Sequence, residues 1–407
     1  MNKYTGWRVV LAGGTLQFLQ SMMLNQAFGA YVPALIHEYG WSKTALSGAA
    51  ALRSTEAALI GPLLGWLVDR VGSQRVVRVG VALFGTGFML LSQINSLTTF
   101  YLAFVVLALG ASMCSNMIVS VAIIHWFEKH RARALSAVQF GSAVGGLFVF
   151  LVAWSIESFG WRITAFASGV IILAGGLPLA ATIRNRPEDH HEPIDGMLPK
   201  VATGGAVGAS SHRARRAFTT SEALRTRAFW LLSAGHACSL FVVSAITVHA
   251  ISHIKEDLGY SLAQASFYIT LVTAGQFAGV ICGWGIGEKY DKRKVAAACM
   301  LMHAAGMLML TYAPNIYVLV ISGLVHGMAW GLRGPFMQAI RADYFGSSSI
   351  GMIMGLSSLI MVIGQVGGPI LAGALADWYG NYRLGFTILA ALAGIGSIFF
   401  WMAKRPQ

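Results

Sequence analysis

The sequence predicts an all-α integral membrane protein of twelve transmembrane helices, arranged as two pseudo-symmetric six-helix bundles. Three observations carry this expectation. Of 407 residues, 56% are apolar and only 11% charged, against about 25% charged in an ordinary soluble protein. The apolar residues gather into a dozen runs of the roughly 20 residues that cross a bilayer core. Loop motifs of the first half return in the second half about 219 positions later.

The runs follow one another with short breaks. The first, 7–35, comes after Lys3, has Arg8 at its very start and holds no small-x-small cleavage site, so it reads as a membrane helix and not as a removable leader. The next five, 43–67, 76–92, 98–125, 132–156 and 161–183, each stop at charges, Gly or Pro. Residues 184–228 hold the one sustained polar stretch, with Glu188, Asp189 and Glu192, then a Gly/Ala/Ser segment, then Arg213, Arg215 and Arg216. That composition predicts a flexible linker between an N-terminal bundle, 1–183, and a C-terminal bundle, 229–407. Within it, residues 218–227 predict a short amphipathic lead-in capped by Thr220 or Ser221 and continuing into Phe229. The second set of spans is 229–253, 261–286, 295–312, 315–340, 350–375 and 384–402.

The net charge of +13 comes from 29 Lys+Arg against 16 Asp+Glu. Four bases, Lys43, Arg162, Lys255 and Arg383, fall on one side of the predicted membrane, and two, Arg53 and Arg333, fall inside spans; the remaining 23 share the other side with both termini and the linker. By the positive-inside rule that side is cytoplasmic. The basic balance is therefore topological and implies no nucleic-acid partner. Cys114, Cys238, Cys282 and Cys299 lie in apolar runs without a CxxC pair or a neighbouring ligand set, so neither a disulfide nor a metal is expected. No GxxxxGK[ST] loop occurs, which speaks against ATP-driven chemistry, and no cofactor is implied.

The repeat is read from its loops. Gly65-Trp-Leu-Val-Asp69-Arg70-Val-Gly72-Ser-Gln-Arg75 follows span two, and Trp284-Gly-Ile-Gly-Glu288-Lys289-Tyr-Asp291 follows span eight, so that acid meets acid and base meets base. His125-Trp126-Phe127 corresponds in the same way to Asp343-Tyr344-Phe345, and Phe159-Gly160-Trp161-Arg162 to Tyr379-Gly380-Asn381-Tyr382. Parallel six-helix repeats with a site between them near the midplane are a known transporter plan. The chain resembles the major facilitator superfamily over essentially its whole length, and 65–75 is similar to that family's signature loop Gly-x-Leu-x-Asp-Arg-x-Gly-x-x-Arg. Gly40-Trp41-Ser42, the Trp126-Phe127-x-x-x-Arg131 motif and Gly160-Trp161-Arg162 are similar to bacterial members of the monocarboxylate and oxalate/formate porter group. This resemblance implies a secondary transporter of an organic anion, a carboxylate, taken up with protons by a monomer in the inner membrane. Two departures from the group's pattern are Val280 after Gly279, where an arginine is common, and a first span without lysine.

A charge inside a span costs about 2.5–3.5 kcal/mol on insertion scales, which makes each one a functional candidate. Arg53 and Glu56 stand three residues apart, on one helix face, and predict either a structural ion pair or a proton-coupling carboxylate with its partner. Arg333 is the expected anion contact, with Trp330 and His326 at spacings that share its face; the alternative is that it pairs with Glu56 or with carbonyls. The resemblance implies that spans one, four, seven and ten line the cavity. On those spans His236, Gln17, Gln20 and Asn116 are further candidate substrate contacts, whereas His249, His253 and His303 are assigned structural roles. Asp69, Arg70, Arg75, Glu288 and Lys289 are expected to latch the cytoplasmic side, the alternative being solvated loop charges. A proton-driven exporter of a hydrophobic metabolite or drug is the rival function; an enzyme would need a catalytic constellation that the chain does not offer.

Overall fold

The computed structural model describes residues 4–25, 27–41, 43–196 and 217–406, whose regular structure is helical throughout. The first half holds α1 (Thr5–Gln20), a π turn (Ser21–Asn25), α2 (Phe28–Tyr39), α3 (Lys43–Val71), α4 (Ser73–Leu91), α5 (Leu97–Met113), α6 (Asn116–Trp126), α7 (Arg131–Leu147), α8 (Val149–Phe159) and α9 (Trp161–Thr182). After the short α10 (Thr220–Leu224), the second half holds α11 (Arg227–Ser252), α12 (Leu262–Ile286), α13 (Lys292–Thr311), α14 (Ile316–Phe345), α15 (Ile350–Tyr379) and α16 (Arg383–Met402). Because α1–α2, α5–α6 and α7–α8 are each one interrupted rod, both halves contain six spans. Ten rods are long and apolar enough to cross a membrane among the described residues. The first span, split around its π turn, and the second, α3 with Arg53 and Glu56, complete the twelve.

The interruption of span four explains two side chains of span one. Cys114 and Ser115 separate α5 from α6, which frees carbonyls that no bilayer water can satisfy. Gln17 Nε2 donates to the Cys114 carbonyl at 2.8 Å and Gln20 Nε2 to that of Ala111 at 3.1 Å. Both glutamines are buried.

One hydrophobic core fills the first half and reaches across to Leu332 and Phe336 of α14, a second fills the rest of the second half, and glycine lets the helices of each half approach backbone to backbone. A Cβ on Gly141 of α7 would lie 1.9 Å from the Gly14 carbonyl oxygen of α1, and one on Gly364 of α15 would lie 2.2 Å from that of Ala237 of α11. Gly145 against Phe18 and Gly368 against Phe241 repeat the pattern one turn on. All four contacts are related by a single offset of 223, so the duplication extends to helix packing. Gly141→Leu should therefore lower the apparent melting temperature in detergent sharply, since overpacking against backbone costs about 1–3 kcal/mol or more; an unchanged melting curve would show that α1 and α7 can part.

The halves meet along α3 against α15 and α7 against α12. Gly61 and Gly65 face Gly355 and Gly351 there, where a Cβ on Gly65 would sit 2.2 Å from the Gly351 carbonyl oxygen.

Three expectations need correction. The start of the linker is not free chain: Glu192 accepts from the backbone N–H and hydroxyl of Thr5, and Asp195 accepts from the amides of Glu128, Lys129 and His130 at 2.7–3.1 Å. The segment 197–216, with Arg213, Arg215 and Arg216, lies outside the described residues. The lead-in helix is capped by Thr219, with Glu222 completing the capping box, and it stops before Thr226, which caps α11 separately. Finally, α14 runs to Phe345, five residues past the expected end of span ten, so Arg341 is a buried helical residue.

Candidate functional site

The acids of the repeated loops perform the same operation on opposite halves. Asp69, at the end of α3, accepts from the amides of Gly351 (2.9 Å) and Met352 (2.8 Å) in the first turn of α15. Glu288, after α12, accepts from the amides of Ala132 (2.7 Å) and Arg133 (3.3 Å) in the first turn of α7. Donors and acceptors alike are related by the offset of 219. A carboxylate facing the N–H groups of a helix start gains both their hydrogen bonds and the positive end of the helix dipole. A third bond across the halves joins Arg131 Nη1 to Asp343 Oδ1 at 2.5 Å, with Lys292 on the other carboxylate oxygen at 2.6 Å. Next to this loop, Asp291 caps α13 and is held below the usual carboxylate range chiefly by its hydrogen bond from Arg293. All these contacts lie at the face that carries the termini.

The basic members of the expected latch take no part in it. Arg70 lies exposed over the Trp66 ring, 5.2 Å from its centroid, and Arg75 and Lys289 are exposed. The acids find backbone amides, not bases, because the helix starts present several donors in fixed positions.

Deeper in, Ser120 Oγ of α6 donates to Gln338 Oε1 of α14 at 2.5 Å. These residues are related by an offset of 218, so the bond lies where the two repeats meet and forms a floor above the loop contacts. One turn further from the termini stand Asn116, part-buried, and Gly334, whose Cβ would sit 3.6 Å from the Gln139 side chain.

Arg333 is 2% exposed, and its Nε and Nη1 meet no hydrogen-bond acceptor. No carboxylate among the described residues pairs with it. Around it, within electrostatic reach, stand His236 of α11, Cys299 and His303 of α13, and His326 and Arg341 of α14. His326 turns toward α13 and meets His303, Nδ1 to Nδ1, at 3.2 Å, leaving both Nε2 atoms buried without a partner. Trp330 is half-buried against the core of the second half. The three residues spaced along one helical face thus do not converge on one point.

In the first half, Arg53 and Glu56 do not form the ion pair that their spacing permits. Arg53 Nη2 donates to Asn25 Oδ1 at 2.5 Å, and Ser112 Oγ donates to Glu56 Oε2 at 2.9 Å. Glu56 Oε1 is buried and meets no donor.

A sequence model of the Major Facilitator Superfamily matches residues 14–251 and again 232–407, one match per half. The chain belongs to the major facilitator superfamily. Among curated relatives of this superfamily member, Monocarboxylate transporter 13 of Rattus norvegicus is 24% identical over 405 residues, covering 96% of this chain and 87% of the relative. The 4-hydroxybenzoate transporter PcaK of Pseudomonas putida is 27% identical over 437 residues, covering 96% of this chain and 92% of the relative. Among solved structures, the fucose:proton symporter FucP of E. coli superposes with a TM-score of 0.74 at 16% identity and 98% coverage of both chains. The superfamily member is accordingly a multi-pass membrane transporter and not an enzyme.

Sequence reasoning missed three parts of this transporter's interior. Arg341 was hidden by a helix end placed five residues too early. His303 was set aside because span nine was expected at the periphery, yet α13 packs directly on α14 and delivers it to His326. The Ser120–Gln338 floor carried a readable signal, since both residues are polar in apolar runs at the repeat offset.

Proposed function

We propose that the transporter takes up an organic anion, a carboxylate, together with protons, by alternating access of its two halves. The observation that carries this reading is Arg333: a guanidinium removed from water with two nitrogens lacking any acceptor. Burying an uncompensated charge costs several kcal/mol, which a bound anion offsets while a neutral or cationic cargo does not. The arginine fork fits a carboxylate in bidentate fashion, and Asn116 is a neutral donor on the opposite half. Relatives named for monocarboxylates and for 4-hydroxybenzoate support the same substrate class.

Glu56 is the proton site of this reading. It has one hydroxyl partner and no ion pair, so it can hold a proton without breaking a salt bridge. The positive-inside count supports cytoplasmic termini in a bacterial inner membrane; the closed gate then faces the cytoplasm and the substrate enters from outside. The limits 1–183, 184–228 and 229–407 describe the moving halves and their connection, and a monomer is the working unit.

The test is uptake of radiolabelled lactate and 4-hydroxybenzoate into proteoliposomes, with and without an inward proton gradient. Parent protein is expected to accumulate one of the acids above equilibrium only with the gradient, and Arg333→Gln to lose at least nine-tenths of the initial rate. Gradient-dependent export of lipophilic cations, unaffected by Arg333→Gln, would replace this reading by the efflux alternative.

A further inference from the structure

Arg341 is 3% exposed, and every contact of its guanidinium is neutral. Nη2 reaches Ser357 Oγ at 2.9 Å, His236 Nδ1 at 3.3 Å and Met361 Sδ at 3.9 Å, and Nη1 reaches the Met337 carbonyl at 3.5 Å. No carboxylate among the described residues pairs with it. Its Cα lies near the terminal end of α14, but helical side chains lean toward the helix N-terminus, so the guanidinium reaches back toward the middle of the bundle. His236, ten residues into α11, and Met361, twelve residues into α15, meet it there and keep part of their surface open, as does Gln338 of the floor.

The contact to His236 fixes a protonation state. A guanidinium only donates, so Nδ1 of the ring must accept, which leaves the hydrogen of the neutral imidazole on Nε2. The charged and titratable groups that face this ring are Arg333 and Arg341 from α14 and His303 from α13; among the described residues, α12, α15 and α16 bring none. A second proton on the ring would put an N–H opposite Arg341 with no negative charge near. A carboxylate seated on Arg341 reverses that situation.

We propose that Arg341 and His236 form a joint anion–proton site, in which a substrate carboxylate binds the Arg341 guanidinium and His236 takes up a proton with it. A proton from the aqueous side bonds to Nδ1, replacing its contact with Arg341 Nη2, and the new N–H points at the carboxylate oxygen; no covalent bond of the substrate forms or breaks. Ser357 Oγ accepts from Arg341 Nη2 and steadies the guanidinium as a neutral neighbour, and Met361 offers an adaptable apolar wall to the rest of the substrate. This rests on the carboxylate reading above and deepens it: anion and proton are bound as a unit on the second half, apart from Glu56 on the first.

The test is the affinity of purified protein for benzoate and for lactate, measured by thermal stabilisation at pH values above those at which the acids themselves titrate. One linked proton makes the parent's affinity rise about tenfold for each unit that the pH falls. His236→Gln is expected to flatten that dependence to within about twofold while still binding, and Glu56→Gln to keep it. Arg341→Lys, which keeps the charge and loses the fork, should weaken binding about tenfold or more; it serves if Arg341→Gln does not fold. If the parent binds acids and Arg333→Gln does not, but Arg341→Lys and His236→Gln behave as the parent, this proposal is overturned and the carboxylate reading stands. If neither acid stabilises the parent, both fall.

Discussion

Removing both gate acids, in an Asp69→Ala, Glu288→Ala double variant, opens the face that carries the termini. Each acid accepts two amide hydrogen bonds from a helix start on the other half. A hydrogen bond to a charged group contributes about 1.5–3 kcal/mol, so the two sites together favour the closed gate by roughly 3–6 kcal/mol if one bond of each pair is counted. That shifts the two-state population by about a hundredfold to ten-thousandfold. A cysteine introduced at Asn116 in a cysteine-free background reports the change, since it lies one turn above the Ser120–Gln338 floor. Its reaction with a membrane-impermeant thiol reagent, applied from the terminal side, should speed up by at least a hundredfold, with each single variant giving part of the gain. An unchanged rate would mean that the glycine contacts of α3 with α15 hold the gate without the acids. Because the two sites are repeats of one another, the single variants should also resemble each other in size.

Glu56→Gln should sharply lower uphill accumulation, to what a proton carried on His236 alone can drive, and leave exchange. The substitution keeps shape and an acceptor for Ser112, but it removes the one carboxylate with a buried, unpartnered oxygen among the described residues of the first half. In proteoliposomes the variant is expected to concentrate substrate at least tenfold less than the parent and to retain counterflow near the parent's rate. Arg53→Gln gives a contrast, because Arg53 bonds to Asn25 and not to Glu56; its accumulation should stay within a few-fold of the parent. Undiminished gradient-driven accumulation by Glu56→Gln would move the coupling proton elsewhere.

Much of the architecture is legible in the sequence because a bilayer makes length and apolarity decisive. The twelve spans, the duplicated halves and the acids at 69 and 288 follow from patterns that solvent and helix geometry enforce. Side-chain partners are less legible. The three-residue spacing of Arg53 and Glu56 permits a pair, but Asn25 and Ser112 from neighbouring spans compete for them and win. Gln17 and Gln20 look like cavity residues until the break at Cys114 and Ser115, unmarked by Gly or Pro, turns them into caps for freed carbonyls. Arg341 is misplaced by the sequence for a related reason: a cation near a helix end reads as an interfacial charge able to pair at the cytoplasmic side, and only the course of α14 shows it turned inward. In each case the deciding contact comes from another helix, which periodicity along one helix cannot register.

The carboxylate claim is tested most directly by thermal stabilisation of the detergent-purified transporter, parent against Arg333→Gln. The panel holds aliphatic, aromatic and dicarboxylic acids and lipophilic cations, in an acidic and a neutral buffer. A ligand that binds the folded state must raise its apparent stability. At least one acid is expected to stabilise the parent, more so in the acidic buffer, and to leave Arg333→Gln unmoved. Stabilisation by cations or neutral compounds alone, equal in parent and variant, would contradict it.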